Sequence, residues 1–571
     1  MKIVTLFLLT FLFCTANAQT WQWVKNPRGI GYESGEGIVT DKFGNSYVRG
    51  HFDYDSIQFG NNITLYNPNA WLYPQAFFLA KYDAAGNIVW ANKIDGHIDA
   101  AYHPNGICID NYQNIYIVSD FDSTLTINTT ILTTTSYNDS CFDNLTWTWY
   151  PCIKYYNATF IAKYNSNGGL IWAKKICETK TGKTFFYSKS ITADTSGNCY
   201  ITGSFADTLY FNNGSSIISN NQNLKNIFIA KTDSSGNTIW AKKASGNSAH
   251  GNYSTDIKMN DSANVFIIGS YSDTAIFDSY VLNGTGMFVA KYDTTGNCIW
   301  AKKMGNVGEP HKIDIDKFDN YFITGKFRAQ ADFDTISLTA SGTEDMFITK
   351  YAPSGNALWA KQAGGNHVND YNEGNGVAVD SLGNCYITGD VRDTVHFDSL
   401  TLICNNIDIF VAKYNASGNL IWVKRAGNVG TRIDLGNSIA VDDSGSVYIT
   451  GGFETNALFD SIALTSGGGW DAFIAKLSDN TVGITELVRT KNSSIVFPNP
   501  FSQHATFYST YVFYNATLTI ENILGQPIKQ IKNISGQTII LQRDNLSSGL
   551  YFVRLTEDNN VVVTNKIIIT D

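Results

Sequence analysis

The ten residues DTSGNCYITG, Asp194 to Gly203, decide how the rest of the chain is read. Asp opens a tight turn with a side-chain hydrogen bond, and Gly197 supplies the positive φ that such a turn needs. The run that follows is β-branched and aromatic, which reads as a strand. The same phrase returns with drift as GNSYVRG from Gly44, QNIYIVS from Gln113, ANVFIIG from Ala263, DNYFITG from Asp319, GNCYITG from Gly383 and GSVYITG from Gly445. A second phrase recurs beside it: FLAK at Phe78, FIAK at Phe160 and Phe228, FVAK at Phe288, FITK at Phe347, FVAK at Phe410 and FIAK at Phe473. A third centres on tryptophan, at Trp90, Trp172, Trp240, Trp300, Trp359 and Trp422. Its missing copy stands at the other end of the chain, where TWQWVKN around Trp23 matches NLIWVKR around Trp422.

Self-similarity at a fixed period marks a repeat architecture, and here the period is about sixty residues. Each period holds four strand-like runs; in the third these lie near 191–194, 199–205, 227–232 and 238–242. Four antiparallel strands repeated seven times predict an all-β, seven-bladed β-propeller over 19–478. The last repeat stops at Lys476 with no tryptophan strand, so the N-terminal strand is expected to complete the last blade and close the ring. The D-x-x-G-N strings could be mistaken for calcium loops. They lack the alternating acids and closing Glu of such loops and read as turns.

Composition agrees. The 571 residues include 48 Gly, 31 Tyr, 34 Phe and 12 Trp, and only 16% are charged. The net charge of −9 and the lack of basic clusters argue against a nucleic-acid partner. The opening MKIVTLFLLTFLFCTANAQT reads as a signal peptide over 1–18, with Lys2 as its basic start and cleavage expected after Ala18. Phe13 before Cys14 is too bulky for a lipoprotein signal. No later segment is apolar and long enough for a transmembrane helix, and a monomer is expected. Eight cysteines then remain; Cys141 and Cys152 are the best disulfide, Cys385 and Cys404 a weaker pair, and Cys108, Cys177, Cys199 and Cys298 cannot be paired. No C-x-x-C spacing occurs, so no metal is expected, and no cofactor.

The phrases G-N-x-Y-x-T-G, F-x-A-K-Y and G-N-x-x-W resemble the bacterial SBBP-type β-propeller repeat family over roughly 20–478. That resemblance implies a fold and no activity. After a linker, 479–494, the segment 495–571 resembles the C-terminal sorting domain of the type IX secretion system, the Por secretion tail family. The matching residues are Pro498-Asn499-Pro500, the Asn522–Gly525 turn, Leu546, Ser548-Gly549-Leu550-Tyr551 and Lys566. The resemblance implies a small β-sandwich, export through the outer membrane of a Gram-negative bacterium by the type IX machinery, and a secreted or surface-bound product.

Function is expected on the face carrying the second-to-third strand connections and the links between blades, because these are long and variable. Two insertions stand out there. The first blade has Tyr66, Trp71 and Tyr73; the second has Cys141, Phe142, Trp147, Trp149, Tyr150, Cys152, Tyr155 and Tyr156. Tyr66, Trp71, Tyr73, Trp147, Trp149 and Tyr150 are candidates for a patch that stacks on sugar rings or docks a protein; packing within a long loop competes with that reading. His97, His103, His250, His311 and His367 are placed in the links and read as solvated. Enzyme signatures are absent and no catalytic residue is assigned, although Glu33, Glu36, Asp99 and Glu373 in the links leave a polysaccharide-active enzyme open. The pattern Asp-[Ser/Thr] at Asp55, Asp207, Asp273, Asp334, Asp393 and Asp460 resembles an O-glycosylation sequon of bacteria using this route; a turn at one repeated blade position explains it equally. The favoured function is a surface or secreted binding protein, with a purely structural protein as another alternative.

Overall fold

A computed structural model of the chain describes residues 19–67, 75–97, 106–143, 148–180, 186–219, 224–246, 251–366, 371–428, 432–479, 494–522, 526–557 and 560–571. No helix occurs among them. They fall into two compact units, 19–479 and 494–571.

In the first unit each repeat folds as an antiparallel meander. The third repeat pairs Phe186–Ala193, Cys199–Phe205, Asn226–Thr232 and Thr238–Ala244 in that order. The fourth does the same with Tyr253–Met259, Val265–Tyr271, Gly286–Tyr292 and Cys298–Gly305. The last repeat supplies Asp434–Val441, Val447–Phe459 and Ile462–Ser478, and Thr20–Lys25 pairs antiparallel with the third of these, Trp23 opposite Lys476.

The recurring phrases have distinct jobs. The Asp of the turn holds its own loop: Asp194 Oδ1 accepts from the amides of Ser196 and Asn198, and Oδ2 from Asn198 Nδ2. The strand tyrosine reaches back to that Asp, as Tyr116 Oη does to Asp110 Oδ2 at 2.9 Å. The lysine of F-x-A-K lies over the same ring, about 5 Å from it at Lys81–Tyr47, Lys231–Tyr200 and Lys476–Tyr448. The tryptophan then latches onto the next repeat. Its indole N–H donates to a turn carbonyl there: Trp90 to Ser166, Trp172 to Ser234, Trp240 to Thr294, Trp359 to Ala416. Trp23 makes the same bond to Ala84 of the first repeat at 3.1 Å.

The turn glycine is needed twice over. Gly418 has φ +81°, and a Cβ there would come within 2.7 Å of the Trp359 ring. Gly418→Ala is expected to cost about 1–3 kcal/mol from the unfavourable φ and the overlap together, read as a lowered denaturant midpoint.

The second-to-third connections differ from expectation. They are outer hairpins rather than free loops, and they bind the preceding repeat. Phe211 and Leu209 pair with Cys177 and Thr179 of the fourth strand before them, and Phe397 pairs with Ala363. Arg28 bridges Gln58 in the same way. Much of this variable surface is therefore spent on holding neighbours together. The Asp-[Ser/Thr] pattern also divides: Asp207 and Asp273 precede the first hairpin strand, Asp393 sits at a register break within Cys385–Phe397, and Asp334 and Asp460 sit at the hairpin tip. All five have positive φ, which Asp tolerates, so one dipeptide serves all of these places.

In the second unit Ser494–Phe497, His504–Glu521, Gly549–Glu557 and Asn560–Ile569 pair in that order, with Pro527–Gln542 on the other side of His504–Glu521. The strands expected as two facing sheets are hydrogen-bonded into one, because His504–Glu521 is long enough to pair with Ser494–Phe497 at one end and Gly549–Glu557 at the other. Phe507, Leu518, Leu541, Val553 and Ile567 share one core.

Candidate functional site

The first strand of a repeat carries a register break near one end: between Gly35 and Gly37, Ser188 and Ser190, Ser254 and Asp256, Pro310 and Lys312, Gly374 and Gly376, Gly436 and Ser438. A bulge re-aims the residue it skips. Those residues are Glu36, Lys189, Thr255, His311, Asn375 and Asn437. Together with the position after T-G in the second strand, they form a polar network that runs from repeat to repeat. His311 Nδ1 lies 3.2 Å from Asn375 Oδ1, Asn375 Nδ2 donates to Asp390 Oδ2 at 2.8 Å, and the Gly436 amide donates to Asp390 Oδ1. Asn437 Nδ2 donates to Ser34 Oγ and to the carbonyl of Gly35. Lys326 lies 2.7 Å from Glu373 and 3.5 Å from Glu344.

In the first repeat the network is charged and buried. Glu36 contacts Arg49 Nη2 at 3.4 Å and His51 Nδ1 at 2.9 Å. Arg49 also donates to the Val118 carbonyl and Ser119 Oγ of the second repeat, through space that a side chain at Gly106 would fill. Burial alone would raise Glu36; Arg49 and His51 outweigh it and hold the carboxyl low. Asp120 is the opposite case. Burial pushes it up to about 7, although Ser188 and Thr159 donate to it. Asp434 is likewise raised to about 7 by burial.

Beginning at the residues that follow the bulges lies a cavity of about 310 Å³, lined by residues 38–40, 107–109, 190–193, 256–259, 312–314, 377–379 and 438–441. Aliphatic side chains alternate there with polar ones such as Thr40, Ser190, Thr192 and Ser438 and with four charged residues. Its charges cancel in crossed pairs between adjacent strands, Lys258 with Asp314 at 2.7 Å and Lys312 with Asp256 at 3.6 Å.

Several expected positions shift. Glu33, Glu36, Glu373 and His311 belong to first strands and not to links, because the bulges lengthen those strands to include them. His97 ends the strand Ile88–His97. Asp99, His103, His250 and His367 lie outside the described residues. Arg49, Asp120, Lys326 and Asp390 were missed by the sequence reading. One signal could have found the last three: the position after T-G drifts through His51, Asp120, Ser204, Ser270, Lys326, Asp390 and Gly452.

The insertion in the second repeat is a β-hairpin, Ser136–Asp143 with Thr148–Tyr155, and a Cys141–Cys152 disulfide joins its strands with the Cα atoms 5.7 Å apart. Its second strand stays well exposed: Tyr150 is 50%, Ile153 64% and Tyr155 45% accessible. At its base Tyr137 stacks on Tyr156 at 4.6 Å. The backbones of Phe142 and Trp149 are paired in the ladder. Tyr66, 66% exposed, ends a strand of the first repeat's outer hairpin. No hydrogen bond or ring contact joins Tyr66 to Tyr150 among the described residues. Trp71, Tyr73, Trp147, Ala18 and the 1–18 leader fall outside them. Cys385 and Cys404 are free thiols, which corrects the expected pair. Cys385 stands opposite Tyr414, whereas Cys404 follows Ile403, which faces Thr394; nine residues of strand separate them, on the order of 30 Å.

At the C-terminus Asn499 ties the Pro498–Pro500 segment to the last strand. Its Nδ2 donates to the Lys566 carbonyl and its Oδ1 accepts from the Ile568 amide, each at 2.8 Å. Tyr551 is buried in the core and donates to the Ser547 carbonyl. Gly549 opens the strand Gly549–Glu557. Gly525 lies outside the described residues. Residues 495–570 match the secretion system C-terminal sorting domain. The chain ends in a type IX sorting domain. That sorting domain addresses the chain to the cell surface or the extracellular space.

Residues 358–390 and 421–459 match the beta-propeller repeat family. An uncharacterized WD repeat-containing protein of Acanthamoeba polyphaga mimivirus is 24% identical over 531 residues, 79% of this chain and 37% of that protein. A regulatory protein of Caulobacter vibrioides is 29% identical over 147 residues, 25% of this chain and 15% of that one. The chain thus spans well under half the length of these curated relatives. Among solved structures, a gluconolactonase from Xanthomonas campestris aligns with TM-score 0.27 at 9% identity, covering 67% of this chain and 97% of that one. A trans-sialidase from Ruminococcus gnavus aligns with TM-score 0.29 at 7% identity, covering 75% and 90%. No described helix is long and apolar enough to cross a membrane.

Proposed function

We propose that residues 19–478 form a seven-bladed β-propeller closed by the N-terminal strand, and that it serves as a binding scaffold at the cell surface, with a glycan or a surface protein as its ligand. The ring reading is supported by the pairing of Thr20–Lys25 with Ile462–Ser478, by the Trp23–Ala84 latch that matches the other latches, and by one cavity lined from the first strand of every repeat. Signal peptide, linker 479–494 and sorting domain 495–571 complete the proposed division.

One observation carries the binding reading: the disulfide-pinned hairpin 136–155. Elsewhere the variable connections are bonded to a neighbouring repeat, whereas this hairpin is stapled to itself and leaves large apolar side chains in solvent. Pre-ordering such side chains lowers the entropy lost on binding, and aromatics are the residues that carry interface energy. Tyr150→Ala, Ile153→Ala and Tyr155→Ala combined are expected to weaken binding to whole cells or a glycan panel by at least about tenfold without shifting the melting temperature. The triple change Trp71→Ala, Trp147→Ala and Trp149→Ala tests the remaining candidates. Unchanged binding by both folded variants refutes the reading.

A polysaccharide-active enzyme draws support from the buried acids raised toward neutrality, Asp120 and Asp434. Both already accept from backbone amides of adjacent repeats, which favours a structural part for them. Turnover in a polysaccharide screen, abolished by Asp120→Asn or Asp434→Asn, would reverse that preference.

A further inference from the structure

The segment 28–32, which joins the N-terminal strand to the first repeat, crosses over 466–470 of the last repeat. Trp470 N donates to the Gly31 carbonyl, Tyr32 bridges Trp470, and Gly468 lies against Ile30. Beneath this crossing are two acids, Glu33 at 1% and Asp471 at 0% exposure. Glu33 Oε1 accepts from the Gly31 amide and Asp471 Oδ2 from the Gly467 amide. The other two oxygens, Glu33 Oε2 and Asp471 Oδ1, have no donor among the described residues, and the carboxyls are within hydrogen-bonding reach of each other.

Comparable seams hold a cation. Asp408 and Asp434 approach each other beside Gly427, and Arg425 Nε donates to Asp408 at 2.7 Å. Buried Glu344 is paired with Arg328 and Lys326. Around Glu33 and Asp471 the facing groups are of the wrong kind. The neighbouring strand brings a third acid, Asp53, with His51 beyond it engaged by Glu36. Residues 466–470 bring only Trp470 and uncharged groups, and Arg28 on the crossing segment is exposed and makes no ion pair among the described residues.

Two buried carboxylates in contact without a cation cannot both ionise, so one must keep a proton. We propose that Glu33 and Asp471 share a proton that holds the first and last repeats together, and that its loss in alkaline solution opens this seam. The reading uses the contact between the first and last repeats and stands whether or not the hairpin binds a ligand. Burial, then Asp471, then Asp53 push Glu33 from its ordinary 4.5 to about 9. The sign follows. A carboxyl raised in the folded state stabilises fully below 4.5, and that stabilisation is lost as pH climbs to about 9.

The test is hydrogen exchange of the full chain, corrected for intrinsic rates, followed at 28–35 and 466–472 from pH 6 to 10.5. Wild type is expected to lose protection there in a progressive transition, by about tenfold per pH unit from pH 6 and levelling off near pH 9, while the third repeat keeps its protection. Glu33→Gln and, separately, Asp471→Asn are expected to abolish that transition, because a neutral amide cannot repel. A flat wild-type curve, or a transition that survives in either folded variant, overturns the proposal. So does full protection at pH 10 after adding millimolar calcium, which would make the pair a cation site. Should neither variant fold, the wild-type curve with and without calcium decides.

Discussion

Trp23→Ala is expected to lower the stability of the chain by about 3–5 kcal/mol, the upper part of the range for core substitutions. The indole is buried between the first and last repeats, in a core with Ile38, Val48, Tyr448 and Ile474. It stacks on Tyr82 at 6.5 Å and meets Tyr448 edge-on at 6.1 Å. Its N–H is satisfied by Ala84, and its ring fills the space left by the missing side chain of Gly86. Alanine leaves a cavity, strands a carbonyl and releases the strand that joins 474–478. The equivalent change at Trp172 is expected to cost less, about 1–3 kcal/mol, because that ring is partly exposed and its strand is held by covalent neighbours at both ends. Urea unfolding of both variants checks the order. Equal losses would mean that the seam between the first and last repeats contributes no more than any other.

What could be read from the sequence follows from that contrast. Asp194, Tyr116, Lys231 and Trp240 announce themselves because most repeats ask one residue type to do one job, with Asn260, Phe266 and Phe322 as the exceptions, and repetition makes the job visible. The disulfide Cys141–Cys152 was legible because both cysteines sit in one insertion. The pairing of Trp23 with the last repeat could be inferred only from a missing copy. The partners of Arg49 could not be inferred at all. Arg49 fills a gap between repeats that exists because Gly106 has no side chain, and those positions are 57 residues apart with no shared phrase. The outer hairpins misled for a related reason. Their sequences vary because each must fit one particular neighbour, and variability was taken for a sign of function when it reflected local pairing, as between Leu209 and Thr179. The polar network at the bulges was hidden in the same way, since the skipped residue changes from Glu36 to Lys189 to Asn375 while the glycines beside it draw the eye.

Glu36→Leu is expected to destabilise by about 3–5 kcal/mol, because it leaves the buried Arg49 guanidinium without its carboxylate. Arg49 would keep the Val118 carbonyl, Ser119 Oγ and the face of Phe77, 4.9 Å away, none of which carries a full negative charge. Asp120 is the nearest remaining acid, and burial holds it near 7, so at lower pH it is neutral and offers little compensation. The loss should therefore be larger at pH 5.5 than at pH 8, where Asp120 ionises. His51 adds to the same slope. Its proton affinity is raised in wild type, where Glu36 outweighs burial, so it stabilises most below its unfolded pKa of roughly 6.5 and that gain is lost as pH rises through the folded value. Removing Glu36 takes that gain away where it is greatest. Combining Glu36→Leu with Arg49→Met is expected to recover most of the loss, since a buried ion pair replaced by packed apolar side chains is often neutral or better. A double-mutant cycle run at both pH values measures this directly. A double variant as unstable as Glu36→Leu alone would show that Arg49 holds the first and second repeats together through Val118 and Ser119, and that its charge is incidental.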